Sequence, residues 1–349
     1  MSRSLARPFT ALLAVIALVA PACGGSDADP ASELAEAITA LGETSFGYTM
    51  TLDLEAAAAE EVLGPDAGMV AGLVNSVALR GVKGDGGFSF GASIMGFEPL
   101  SVRSYGSGDE LYLRVGVSEV LESFGGNLED FGLSPEALAE LPGDAGELFS
   151  RLLGGEWVGF TGLDAGVSED QEAAAAQLGV DVEEFQQLRD DLLERLSDID
   201  QLLEDIAIVS RNELEGRVEY DVAIQTEPAL REVQALLSPF SDVLGASLDG
   251  VDAEADLQDL LADAPESIPG LSATVTDGDL TEVSFDIGVL LTALDPDRDL
   301  ASGDIVLRLE FSDHGSAAVP DVPADAVTYD REQLEELGSL LNDPSLLGG

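Results

Sequence analysis

A chain of 349 residues with 45% hydrophobic content is long enough to bury a sizeable core and too apolar to persist as a disordered acidic polymer. Its 15 Lys and Arg stand against 68 Asp and Glu, a formal charge of −53 at pH 7, and a field of that sign repels nucleic acid and anionic headgroups, which excludes nucleic-acid binding. The lone cysteine rules out an intramolecular disulfide, so stability has to come from packing.

Arg3 and Arg7 precede an apolar run from Phe9 to Ala20 that is too short to span a bilayer as a mature helix, the pattern of a secretory leader over residues 1–22. It ends at Ala20-Pro21-Ala22-Cys23-Gly24-Gly25, and Cys23 after small residues resembles a bacterial lipobox, in which the cysteine sulfur carries diacylglycerol. Ala20-Pro21-Ala22 also matches the A-x-A site of ordinary signal peptidase, the alternative of plain secretion. Residues 23–31, small and acidic, read as a flexible tether.

The remainder, 32–349, reads as one domain of two similar halves, about 32–165 and 166–349, since strands and helical crossovers come twice in the same order. Ser32 is the predicted cap of a helix carrying Leu34, Ala35, Ile38 and Leu41. Phe46, Tyr48, Met50, Leu52 and Leu54 then alternate with polar or small partners as the first strand. Ala56 to Val74 is Ala-rich, broken at Gly64-Pro65, and predicts helical turns. Strands follow at Ser76–Gly81 and Gly87–Ala92, then at Leu100–Tyr105 and Glu110–Val117 around glycine turns. The period becomes helical from Ser118 to Gly155, with a cap at Ser134-Pro135-Glu136, before a short strand at Glu156–Phe160. Trp157 on that strand reads as core, with the mouth of a cavity as the alternative.

Ser168 to Glu204 is the longest helical reading, followed by strands at Ile206–Arg211 and Arg217–Thr226 and helical segments at Pro228–Leu244 and Ala253–Ala262. Ile268-Pro269-Gly270 closes that excursion. Asp277-Gly278 predicts a tight hairpin joining Ala273–Thr276 to Leu280–Ile287, and Ile305, Leu307, Leu309 and Phe311 form another alternating strand, so the strands make one long antiparallel sheet. An edge strand at Val327–Tyr329 and a helix at Glu332–Leu341 end the chain. Phe46, Tyr48, Met50, Leu52, Leu111, Leu113, Val222, Ile224, Phe285 and Leu307 form the expected apolar sheet face. Taken singly each is core; as a set they are what a lipid trough requires, and the helices decide between the two.

Cys23 with its tether, Leu41-Gly42-Glu43-Thr44-Ser45-Phe46-Gly47-Tyr48, Gly108-Asp109-Glu110-Leu111-Tyr112-Leu113-Arg114-Val115 and Gly155-Glu156-Trp157-Val158 follow one another in an order that resembles the LppX/LprG class of bacterial envelope lipoproteins, and more distantly the LolA and LolB carriers. Asp277-Gly278-Asp279-Leu280 and Leu309-Glu310-Phe311-Ser312-Asp313-His314-Gly315 complete the likeness. The resemblance implies an α+β fold: a strongly bent antiparallel sheet, a half-barrel, with helices on its concave side and acyl chains held in the gap. It also implies attachment at the outer face of the cytoplasmic membrane through Cys23, or secretion if lipidation fails, and an envelope transporter or lipoprotein as partner. Such a trough removes hydrocarbon from water at about 0.8 kcal/mol per methylene and needs no catalytic residue or cofactor. The alternative is an envelope interaction module of the same fold with a filled core.

Gly87-Phe88-Ser89-Phe90-Gly91 satisfies G-x-S-x-G, and with Asp313 and His314 offers a hydrolase order. A nucleophile elbow needs a strand running into a helix, whereas the residues after Ala92 include Gly96 and Pro99 and show no helical stripe, which favours a strand with glycine bends. His314 reads as a polar turn residue. Asp295-Pro296-Asp297-Arg298-Asp299 begins like a calcium loop but has Leu300 where glycine belongs and Val306 where a bidentate Glu belongs, leaving at most weak surface binding; no metal is expected.

Overall fold

The computed structural model describes residues 29–64, 67–106, 110–123, 125–131, 145–162, 203, 205–232, 265–294, 298, 300–330 and 333. Cys23 with its leader and residues 24–28 of its tether, the cap at 134–136, the helical readings over 168–204 (apart from Leu203), 233–244 and 253–262, the loop at 295–299 (apart from Arg298) and the terminal helix at 332–341 (apart from Gln333) lie outside the described residues; the end of the predicted tether is corrected, since Asp29 caps a helix that Pro30 and Ala31 open.

The elements run α1 (Pro30–Glu43), β1 (Phe46–Leu54), α2 (Ala56–Leu63), α3 (Gly68–Val74), β2 (Val77–Gly84), β3 (Gly87–Ile94), β4 (Phe97–Tyr105), β5 (Glu110–Val115), α4 (Val117–Ser123), a 3-10 turn (Leu128–Phe131), α5 (Ala145–Leu153), β6 (Val158–Thr161), β7 (Ala207–Leu214), β8 (Arg217–Gln225), β9 (Ser267–Thr276), β10 (Asp279–Asp286), α6 (Ile287–Leu294), β11 (Ile305–Ser312) and β12 (Val327–Asp330). The fold is α+β. Its strands make a large open sheet, mostly antiparallel, in the order β12-β6-β5-β4-β3-β2-β1-β11-β10-β9-β8-β7.

Local chemistry explains most of these elements. Helix α1 starts at Asp29 with Pro30 in the first turn, where a missing N–H costs nothing, so Ser32 lies inside the helix rather than capping it. The β2–β3 turn is tighter than its glycines suggest, because Lys83 and Gly84 still pair with Phe88 and Gly87 and leave only Asp85 and Gly86 as the turn. At the β9–β10 hairpin Asp277 (φ 53°) and Gly278 (φ 95°) are both left-handed, the backbone a two-residue turn of that hand requires.

Three further expectations are corrected. Ile268-Pro269-Gly270 opens β9 rather than preceding it: Pro269 and Gly270 (φ 114°) sit where the β8–β9 register shifts between Val222 and Ile224, an irregularity that tolerates a residue without N–H. Ile287 is not the last residue of a strand but the first of α6. Asp286 decides this, since its Oδ1 accepts the Val289 N–H at 3.0 Å, capping a run of apolar residues that composition alone leaves ambiguous. Finally, β12 pairs with β6 in parallel, Val327 opposite Val158 and Tyr329 opposite Phe160, because the chain returns along the sheet before adding its last strand.

The chain divides into two compact units that interleave in sequence. The first gathers α1, the end of β1, α2, β7 to β11 and α6; the second gathers most of β1, nearly all of α3, β2 to β6, α4, α5 and β12. In the first, Leu34, Ala35 and Leu41 of α1 are buried, with Tyr220, Val222, Ala273 and Leu280 of the strands. In the second, Ala145 and Leu148 of α5 pack with Val158 and Tyr329, and Phe149, Leu152, Phe160 and Val327 close around them.

Candidate functional site

Because opposed residues of paired strands project to the same face, the registers show which predicted side chains come together. In the first unit one row crosses five strands: Val209, Val222, Leu271, Phe285 and Leu307. Ile224, opposite Ala207, lies two residues along β8 on the same face. The four predicted residues of this unit, Val222, Ile224, Phe285 and Leu307, therefore share one surface. In the second unit Phe46 and Leu111 belong to the row Phe46, Lys83, Phe88, Ser104, Leu111 and Phe160. Tyr48 and Leu113 belong to the next, Tyr48, Gly81, Phe90, Val102, Leu113 and Val158. Met50 stands opposite Leu79, and Leu52 is on its side of β1 by alternation.

Coverage differs along these faces. In the first unit the Tyr220 hydroxyl donates to Glu33 Oε2 of α1 at 3.0 Å, and Arg211 Nε lies 2.8 Å from the same oxygen, which seats α1 on the apolar face. Val222 is 2% exposed there, while Ile224, Phe285 and Leu307 are half-buried. Burial, followed by the hydrogen bond to Glu33, raises the Tyr220 phenol above its usual pKa. In the second unit α5 occupies the β5–β6–β12 end, and Phe46, Tyr48, Met50, Leu52, Leu111 and Leu113 are all half-buried. Phe88 is 46% exposed. Tyr48 lies across Gly81, where an added Cβ would come within 2.4 Å of both the phenol ring and the Ser89 carbonyl oxygen, so the ring fits only over glycine. Burial raises this phenol's pKa too.

The other face of the second unit is polar and was not picked out by hydrophobic alternation. Arg80, Gly91, Ser101 and Arg114 form one cross-strand row, and Val82, Ser89, Arg103, Tyr112 and Gly159 form the next. The segment from Gly315 to Pro320 and Asp321 runs against this face. Gly315 N–H donates to the Ser45 carbonyl, Tyr105 Oη to the Pro320 carbonyl and Arg103 Nη1 to the Asp321 carbonyl. Trp157 is half-buried under the Arg103 guanidinium, 4.5 Å from ring centroid to Cζ, on the polar side rather than in the core. Single arginines on β2, β4 and β5, Arg80, Arg103 and Arg114, were the available signal, and writing the hairpin registers side by side would have exposed it.

Ser89 lies within β3, opposite Val82 and Arg103, and β3 turns at Met95-Gly96 into β4, a strand–turn–strand context. His314 Nε2 is 2.9 Å from the Leu280 carbonyl oxygen at the end of β11, the polar turn role expected of it. Among the described residues no group of three His, Cys, Asp or Glu is placed to hold a metal ion. In comparisons with known proteins, no family model matches the chain and no curated protein matches it.

Proposed function

We propose that the protein is a lipid-anchored envelope protein, tethered through Cys23 outside the cytoplasmic membrane, that binds or shuttles an acyl-bearing ligand between sheet and helices of a half-barrel of the LolA/LppX kind. One observation carries the reading: the second unit gathers Phe46, Tyr48, Met50, Leu52, Leu111 and Leu113 on one face and leaves all six half-buried, with Phe88 46% exposed beside them. Exposed apolar rows are costly in water and gain about 0.8 kcal/mol for each methylene laid against them, so a hydrocarbon chain is the ligand such a face favours.

The alternative, an envelope interaction module with a filled core, draws on the first unit, where α1 is bonded to Tyr220 through Glu33 and Tyr220 and Val222 are 4% and 2% exposed. Native mass spectrometry of the full chain purified from its own membranes, with uptake of a fluorescent fatty acid, separates the two. Copurifying lipid and saturable uptake are expected; absence of both overturns the carrier reading. Labelled palmitate incorporation that survives Cys23→Ser would overturn the anchor.

A further inference from the structure

Five of the described arginines pair with carboxylates. Arg151 pairs with Glu147 and Glu156, Arg211 with Glu33 and Glu213, Arg217 with Glu219, Arg231 with Glu227, and Arg308 with Asp53 and Glu282. Arg80 and Arg103 depart from this. Among the described residues neither has a carboxylate partner, although acidic side chains outnumber basic ones 68 to 15 in the chain. Arg80 is exposed. Arg103 is held by the Asp321 carbonyl, 2.7 Å from Nη1, and by the face of Trp157, contacts that fix the guanidinium without neutralising it.

Both arginines line one depression of about 250 Å³, together with Ser89, Gly91, Ser93 and Ser101. Glu98 is the single carboxylate in that lining; its Oε1 accepts the Ser101 hydroxyl at 2.5 Å, and a Cβ on Gly91 would come within 2.7 Å of the same oxygen. Two guanidinium groups against one carboxylate leave a local positive surplus within a chain of charge −53. Guanidinium N–H forks match the spacing of oxyanion oxygens, and hydroxyls add donors without adding charge.

We propose that this depression is an oxyanion site, taking a phosphate group through Arg80 and Arg103 with the Ser89 hydroxyl as a further donor, since the Ser93 and Ser101 hydroxyls already donate to the Ala78 carbonyl and to Glu98. It lies on the polar face, stands apart from the acyl-binding face, and does not rest on the carrier reading. The phosphate could be free or the headgroup of a phospholipid.

Trp157 is the chain's only tryptophan and touches Arg103, so it reports on the site directly. The full chain is titrated with inorganic phosphate against potassium chloride of equal ionic strength, following tryptophan fluorescence and heat by calorimetry. Saturable change in both is expected with phosphate and not with chloride. Arg80→Gln, at an exposed position without a partner among the described residues, should weaken binding about tenfold, and Arg217→Gln, whose charge pairs with Glu219, should leave it unchanged. Absence of saturable binding, or Arg80→Gln binding like the unaltered chain, overturns the site. A short-chain phosphatidate compared with the matching diacylglycerol then assigns the source: tighter binding than inorganic phosphate, lost in Arg80→Gln, supports a lipid headgroup, and binding equal to inorganic phosphate supports the free ion.

Discussion

The row Val209, Val222, Leu271, Phe285, Leu307 in the first unit and the row Tyr48, Gly81, Phe90, Val102, Leu113, Val158 in the second come from the same alternation of apolar residues along antiparallel strands; each has one buried member, Val222 and Val158, among half-buried ones, and what differs is where a described helix lies over them. Over the first, α1 is seated by Glu33, which meets both Tyr220 and Arg211, and Val222 is buried. Over the second, α5 closes the β5–β6–β12 end among the described residues, and the β1 side chains are half-buried. An alternating strand thus specifies a face that must leave water, and a helix from elsewhere in the chain determines whether protein or another occupant covers it.

Introducing a carboxylate into each face should separate them most. Val222→Asp places an unpaired charge at a 2% exposed position and should cost several kcal/mol, enough to unfold the chain in mild urea. Met50→Asp, at a half-buried position, should keep a cooperative urea transition while abolishing fatty-acid uptake. Equal loss of stability in the two variants would break the comparison. Next, Leu41→Ala on α1, 2% exposed, should lower stability by about 2–5 kcal/mol, and Leu113→Ala by roughly 1 kcal/mol, each read from the shift in urea midpoint.

Removing the cap of α6 by Asp286→Ala should cost about 1 kcal/mol from the lost Val289 contact. Further loss is expected because Asp286 Oδ2 also accepts the Ser302 hydroxyl and the Gly303 N–H, and Asp286→Asn should recover part of it. Tyr220→Phe, which deletes only the hydroxyl that α1 receives, should cost about 0.5–1.5 kcal/mol and weaken protection of α1 amides in hydrogen exchange.

The smallest effect is on pH. Tyr48 and Tyr220 have raised pKa values in the folded chain, whereas an unfolded tyrosine titrates at about 10. Below that pH both states hold the proton and the contribution is fully present. As pH climbs from the unfolded value through the raised folded ones, the unfolded chain ionises first and stability is lost. Tyrosinate absorbance should therefore appear late, with a falling urea midpoint alongside it; ordinary tyrosine titration with a flat midpoint would contradict the burial.

Much of this architecture was legible from residue order. Alternation located β1, β8 and β11, Asp277-Gly278 located a hairpin, and Gly64-Pro65 separated α2 from α3, because strand period, left-handed turns and helix breaking are local properties of the backbone. The ten apolar site residues could be named for the same reason, since each is one half of a period-two pattern. Three features needed longer-range information. The apolar run Ile287–Leu294 fits strand or helix by composition, and the contacts of Asp286 select the helix. The parallel pairing of β12 with β6 joins residues far apart in the chain. The polar row containing Arg80, Ser101 and Arg114 exists only when β2, β3, β4 and β5 are laid side by side.

By itself, then, the order of residues determined where the backbone extends, coils and turns, and which side of each strand is apolar, because those preferences act over a few residues. Tertiary structure alone decided which strands are neighbours, which apolar rows a helix closes over, and which arginines go without a carboxylate among the described residues. Those outcomes depend on contacts between distant segments, whose free energy no short window of sequence contains.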